Sequence, residues 1–167
     1  MYLPFDQLPS HSRIWIYQAD RSFSLEEEKI ISETLAGFCT QWEAHGYPLK
    51  TSFKIEFRHF IILSVDESAA GASGCSIDGS VRILKELGSQ LKIDFFDRAK
   101  IAFLIDGKIQ AHPLNQLNSL FQSGKLIAST QTFNNLVATK TEWERRWKTT
   151  VEKSWLIKYL PKDTLSV

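Results

Sequence analysis

The sequence predicts an α+β fold: a ferredoxin-like β-α-β-β-α-β antiparallel sheet, including a hairpin strand, followed by a helical C-terminal extension. Three observations carry this expectation. Two amphipathic helix patterns alternate with strand patterns over the first two thirds of the chain. Residues 49–58 and 59–65 follow each other with almost no connection, as the strands of a hairpin do. A further apolar run, residues 101–105, ends in Asp106-Gly107, the dipeptide of a tight hairpin turn.

Each element has its own signal. Residues 1–12 read as an irregular leader with Pro4 and Pro9, and residues 13–19 (RIWIYQA) as the first strand, rich in β-formers. Ser24 and Glu27 form a capping box that opens the first helix. Ile31, Leu35, Phe38 and Trp42 then share one face, and the helix is expected to stop at His45-Gly46 before Pro48. In residues 49–58, Phe53, Ile55 and Phe57 alternate with Lys54 and Glu56, which marks a half-buried strand. Residues 59–65 are nearly all apolar, as in a central strand covered on both faces. The second helix is expected from about residue 76 to 91, burying Ile77, Val81, Leu84, Leu87 and Leu91, with Ser76 or Asp78 as its cap. After the Asp106-Gly107 turn, Pro113 and a short leucine stripe ended by Gly124 suggest a helix. Thr141 and Glu144 look like a second capping box, for a last helix carrying Trp143, Trp147, Val151 and Trp155.

The 167 residues suit a single domain, with a core at about 13–112 and the helical extension at about 113–160. With 43% hydrophobic and 23% charged residues the chain has an ordinary globular composition, and its five Trp and eleven Phe can fill a sizeable core. A net charge of +1 gives no nucleic-acid footprint and no attraction to an anionic membrane. No apolar run is long enough to cross a bilayer. The first residues carry prolines and an aspartate where a signal peptide needs a basic start and an apolar run. Cys39 and Cys75 form no CxxC pair, so a cytoplasmic location is expected. No cofactor and no metal is implied.

The stretch with most chemistry is residues 60–87: an apolar strand ending in Asp66-Glu67, a loop of small residues, and a helix start with Cys75, Ser76 and Asp78. Under the expected topology, His11, Arg13, His45, Asp66, Glu67, Cys75, Ser76, Asp78 and Asp106 share one sheet edge. The opposite edge collects Asp20, Arg21, Arg58, His59, Asp97 and Arg98. Loop amides around Ser73, Gly74 and Ser76 could hold an anion at the helix start, or simply be capped by neighbouring side chains. Cys75 at a helix N-terminus, with His45 as base, is a candidate nucleophile; the alternative is a small buried residue. Asp66 and Asp78 complete the catalytic candidates. GASGCS lacks the lysine of a phosphate-binding P-loop, and Cys75 and Arg82 have six intervening residues where a phosphatase loop needs five. Phe95-Phe96-Asp97-Arg98 reads as a structural corner. Asn134 and Asn135 either satisfy buried backbone groups or contact a ligand. Trp143, Trp147 and Trp155 either dock on the core or form a dimer or partner surface.

Taken together, FDQLP, WIYQADR (15–21), AHG (44–46), VDES (65–68), SGCSID (73–78), IDFFDR (93–98), FNNLV (133–137) and SWL (154–156) resemble a family of small bacterial proteins. Its members often carry the label "ABC transporter ATPase". The resemblance spans nearly the whole chain, and the label implies ATP binding. The sequence has neither the Walker A lysine nor an LSGGQ-like signature, and IILSVDES (61–68) only faintly echoes a Walker B strand.

The expected function is therefore a non-catalytic binding or protein-interaction module, homodimeric through the C-terminal helix, with no nucleic-acid or membrane partner. A small hydrolase or transferase with its site at the 66–78 loop is the alternative. An ATP-binding protein is the second alternative.

Overall fold

The computed structural model describes residues 1–162 and has an α+β architecture. The first sheet holds β1 (Arg13–Gln18), β4 (Lys50–Glu56) and β5 (Phe60–Asp66) in the antiparallel order β1-β5-β4. That is the strand order expected for the first three long strands. β5 is buried along its whole length because it lies in the middle of the sheet and both of its faces are covered. Ile61, Leu63 and Val65 point into one hydrophobic cluster, and Phe60 and Ile62 into another.

The first cluster lies under α1 (Leu25–Gln41) and α2 (Gly74–Leu91). The Ser24–Glu27 capping box forms as the sequence predicts: Glu27 N–H donates to Ser24 Oγ at 3.1 Å, and Ser24 N–H to Glu27 Oε1 at 2.9 Å. α1 ends four residues short of His45, with Trp42 already extended. The next residues form a small hairpin of β2 (Glu43–Ala44) and β3 (Tyr47–Pro48), turned by His45 and Gly46 at positive φ. The second helix starts earlier than expected. Ser73 is its cap, in a reciprocal box with Ser76, so Ser76 and Asp78 lie inside the helix. Its buried face is also rotated. Ser76 and Ser80 are buried with Leu84 and Leu87, whereas Ile77 and Val81 are half exposed. The serines tolerate this because their hydroxyls donate to Ser73 O and Ile77 O within the helix.

The second sheet holds β6 (Lys100–Ile105), β7 (Lys108–Pro113), β8 (Gln131–Phe133) and β9 (Lys148–Thr150) in the order β7-β6-β8-β9. Asp106 (φ 52°) and Gly107 (φ 76°) make the tight β6–β7 turn. This sheet corrects the expected ferredoxin-like plan, in which the strand after the second helix would pair with the first strand, because β6 does not pair with β1. Its two edges are taken by β7 and β8. The outer edge of β1 is met instead by residues 138–139, with Ile14 N–H donating to Ala138 O at 2.9 Å. At its far end Gln18 Nε2 donates to Lys100 O. Ala102, Ile109 and Phe133 of the second sheet pack towards the first around Phe60, Ile62 and Trp147. Phe103 and its neighbours pack the other way, onto α3 (Leu117–Gln122) and the last turns.

The expected last helix is the second correction. A single helical turn, α4 (Lys140–Glu142), is capped by Thr139 rather than Thr141. It passes into a five-residue π-turn, Trp143–Trp147, then into β9 and short 3₁₀ turns. The tryptophan spacing suggests one helical face, but Thr149-Thr150-Val151 is a β-branched run beside an open β8 edge that needs backbone partners. β9 supplies them. Trp147 is consequently 1% exposed, edge-on to Phe60 and against Phe133, and lies in the core. Trp143 is half-buried between Phe5 and Trp147. Of the three tryptophans expected at an interface, Trp155 alone is exposed.

Candidate functional site

The 66–78 loop is closed by its own side chains. Asp66 Oδ1 accepts the Ser68 hydroxyl at 2.5 Å and the Ser68 amide at 3.0 Å. These hydrogen bonds, with smaller contributions from His11 and Lys50 against the cost of burial, hold the Asp66 carboxyl below its ordinary value. Glu67 Oε2 accepts the Ala72 amide at 2.9 Å. Ser73 N–H and Ser76 N–H are taken by each other's hydroxyls. The amides that would receive a phosphate or carboxylate here thus already serve carboxylates and serine caps, and the two acidic side chains repel an incoming anion. His11 Nε2 lies 2.9 Å from Ser68 Oγ, whose proton is already committed to Asp66. That order of bonds does not activate the serine, since a base must receive its proton.

The remaining candidates of that loop are separate groups. Cys75 and Asp78 are exposed on the first turns of α2, and His45 is exposed in the β2–β3 turn. Among the described residues no hydrogen bond or ion pair joins Cys75, His45, Asp66 and Asp78 to one another, and no group of three metal-binding side chains occurs. Gly74 is open on its Cβ side at the exposed helix start. The other cysteine, Cys39, is fully buried, and burial pushes its thiol up to about 12.

The opposite edge assembles more fully. Phe95 is buried, and Asp97 Oδ1 caps the Ala99 amide at 3.0 Å, so residues 95–98 form the expected corner. The charges of Asp97 and Asp20 act on the buried His59 there. Beside this corner opens a groove of about 1000 Å³, lined by the start of β6, by β8 and residues 134–136, by Arg145 and Arg146 of the π-turn, and by β9 and residues 153–155. Six cations line it: Arg98, Lys100, Arg145, Arg146, Lys148 and Lys153. Its single carboxylate, Asp97, is turned inward, with Oδ1 on the Ala99 amide and Oδ2 shut off from solvent. In a chain of net charge +1, this leaves the rest of the molecule net acidic.

The cations differ in their freedom. Lys100 Nζ donates to Asp20 O at 3.1 Å, Arg146 pairs with Glu142 at 3.2 Å, and Lys148 lies over the Phe57 ring. Arg98, Arg145 and Lys153 are exposed and make no hydrogen bond or ion pair among the described residues. Asn134 and Asn135 both line the groove, and each has a structural task as well. Asn134 Oδ1 accepts the Leu136 amide. Asn135 bridges Trp147 and Gln18.

Of these six cations, sequence reasoning places only Arg98 at this edge, as part of the structural corner, and misses the other five. The available signal is WERRWKTTVEKSW (143–155), cations interleaved with aromatics, which also fits an amphipathic helix and was expected to be one. Compared with family models, with curated proteins and with solved structures, the chain matches none of them.

Proposed function

We propose that the protein is a non-catalytic binding module that takes an anionic ligand in the groove between the 97–98 corner, the π-turn and β9. The observation that carries this reading is the concentration of six cations against one inward-turned carboxylate in a chain of nearly balanced charge. Low-dielectric walls strengthen such a field and draw anions in. The exposed side-chain amides of Gln131 and Asn134 offer neutral hydrogen bonds beside the cations, Asn134 through its Nδ2. Neither histidine nor cysteine lines the groove among the described residues, which favours binding over nucleophilic or acid–base chemistry.

Calorimetric titration with tripolyphosphate, a minimal multivalent anion, tests the reading, with Mg-ATP as a parallel arm for the ligand that the family label implies. Saturable binding is expected, with a matching rise in unfolding temperature, because a ligand held only by the native state stabilises it. Arg98→Glu combined with Arg145→Glu is expected to abolish both effects. An unchanged titration in that double variant would place the anion elsewhere and sink the proposal.

A further inference from the structure

We infer that the natural occupant of the groove is single-stranded nucleic acid, its phosphates on the lining cations and a base stacked on Trp155. The inference rests on the anionic-ligand reading above and specifies the ligand.

Strand register orders the charges along the groove. β8 runs antiparallel to β6 and β9, with Thr132 opposite Phe103 and Thr149, and Phe133 opposite Lys148. Continuing those pairings places Arg98, Lys100, Asn134, Arg145 and Arg146 towards one end. Gln131, Thr150, Lys153 and Trp155 lie towards the other, with Lys148 between. Four residues of extended chain from Gln131 to Asn134 span roughly 10 Å, and the lining continues beyond both. Four of the six cations therefore lie towards one end, with Lys148 between and Lys153 towards the other, so the positive charge continues along a length. A ligand whose negative charge repeats at intervals matches that distribution better than a single compact anion.

The rims add the second requirement. Leu136 is 91% exposed at the arginine end and Trp155 is 52% exposed at the lysine end. Both line the groove although neither is needed to fill a core. An exposed tryptophan face beside a basic channel is a platform on which any base can stack, whatever its sequence. Lys158 Nζ lies over the Trp155 ring, 5.3 Å from its centre, and adds one more cation at that end; a base stacks on the part of the ring that this flexible ammonium leaves open. The overall charge of +1 argues against a basic surface at large; the charge relevant here is local to one concavity. A concave channel of strands also suits a flexible single strand better than a rigid duplex, which needs an element that enters a groove.

The test is fluorescence-anisotropy titration of the whole chain with four probes: a thymidine 12-mer, an abasic 12-mer of the same backbone, a 12-bp duplex, and tripolyphosphate as unlabelled competitor. The thymidine strand is expected to bind at least fivefold more tightly than the abasic strand and the duplex. With three to six phosphates engaged, log K should fall with log salt at a slope between about −2 and −4. Trp155→Ala should weaken the thymidine strand at least fivefold and leave tripolyphosphate unchanged, while Trp155→Phe should restore most of the loss. Equal binding of the base-bearing and abasic strands, or no effect of Trp155→Ala, would overturn the inference and leave the anion reading intact. Loss of tripolyphosphate binding as well would remove both.

Discussion

Asn135 accepts the indole N–H of Trp147 through its Oδ1, at 2.9 Å, in a setting where that indole is otherwise enclosed by aromatic rings. The same amide gives its Nδ2–H to Gln18 Oε1 at 3.1 Å, and Gln18 donates to Lys100 O at 2.8 Å. A relay of three side chains thus ties the π-turn, the end of β1 and the start of β6 together beside the groove. Asn135→Ala leaves a buried indole donor without a partner and should cost about 1–3 kcal/mol. Urea denaturation checks this. A smaller loss would mean that water replaces the amide.

Lys140 is buried, and its ammonium donates to Phe5 O at 3.0 Å and Leu8 O at 2.8 Å. Its charge also lies 5.2 Å from the centre of the Phe5 ring. These contacts fasten the leader to the segment that borders β1. Lys140→Met keeps most of the side chain's volume but strips two carbonyls of a charged donor, at a cost of about 2 kcal/mol or more. Limited proteolysis should then cut the first ten or so residues faster than in the native chain. An unchanged cleavage pattern would show that Phe5 and Leu8 hold the leader by apolar packing alone.

What could be read in advance follows the range of the signal. The Ser24–Glu27 box, the 49–65 hairpin and the Asp106-Gly107 turn are each encoded within a few residues, and each forms where expected. The Ser73–Ser76 box was missed because a second serine stands where the usual signature has Glu or Gln. The second sheet is a different case. β8 and β9 are three residues each and are separated by fourteen residues, so neither carries a visible alternation, and only the unpaired edge of β6 calls them into place. Tryptophans at helical spacing suggested a helix there, and tertiary pairing overrode it. The groove stayed hidden for a related reason: Arg98 and Arg145 are distant in sequence, and a summed charge near zero carries no information about where the cations lie.

His59 gives the fold a pH dependence of definite sign. It is 2% exposed, its Nδ1 meets Ser22 Oγ at 3.1 Å, and its Nε2 is unpartnered. Burial lowers its pKa to about 4, outweighing the pull of Asp97 and Asp20, while Lys100 adds to the depression. The unfolded chain, with an ordinary histidine near 6.5, therefore binds more protons between pH 6.5 and 4. Stability should be full above about pH 6.5 and fall by up to about 3 kcal/mol as pH drops towards 4. Glu27, held at about 2 by the Arg21 guanidinium and the Ser24 amide, contributes its own loss only below the ordinary carboxylate range. In His59→Gln the urea midpoint should stay nearly flat from pH 7 to 5. A slope as steep as in the native protein would assign the effect to another group.

Two helical glycines make opposite predictions. A Cβ on Gly88 would lie 2.5 Å from the carbonyl oxygen of Ile93, whose own N–H closes the end of α2 on Gly88 O at 3.1 Å. Because the obstacle is backbone, relief requires moving the turn that seats Ile93 and Phe95 in the core. Gly88→Ala should therefore lose about 1–2 kcal/mol even after its gain in helix propensity. Gly37 lies in the interior of α1 on its exposed side, with nothing within 4 Å of the added atom. There the propensity gain stands alone, and Gly37→Ala should add about 0.5–1 kcal/mol. Denaturation midpoints of the two variants must move in opposite directions. A stabilised Gly88→Ala would mean that the α2 end yields to a methyl group, and that the close approach of Ile93 is not what requires glycine.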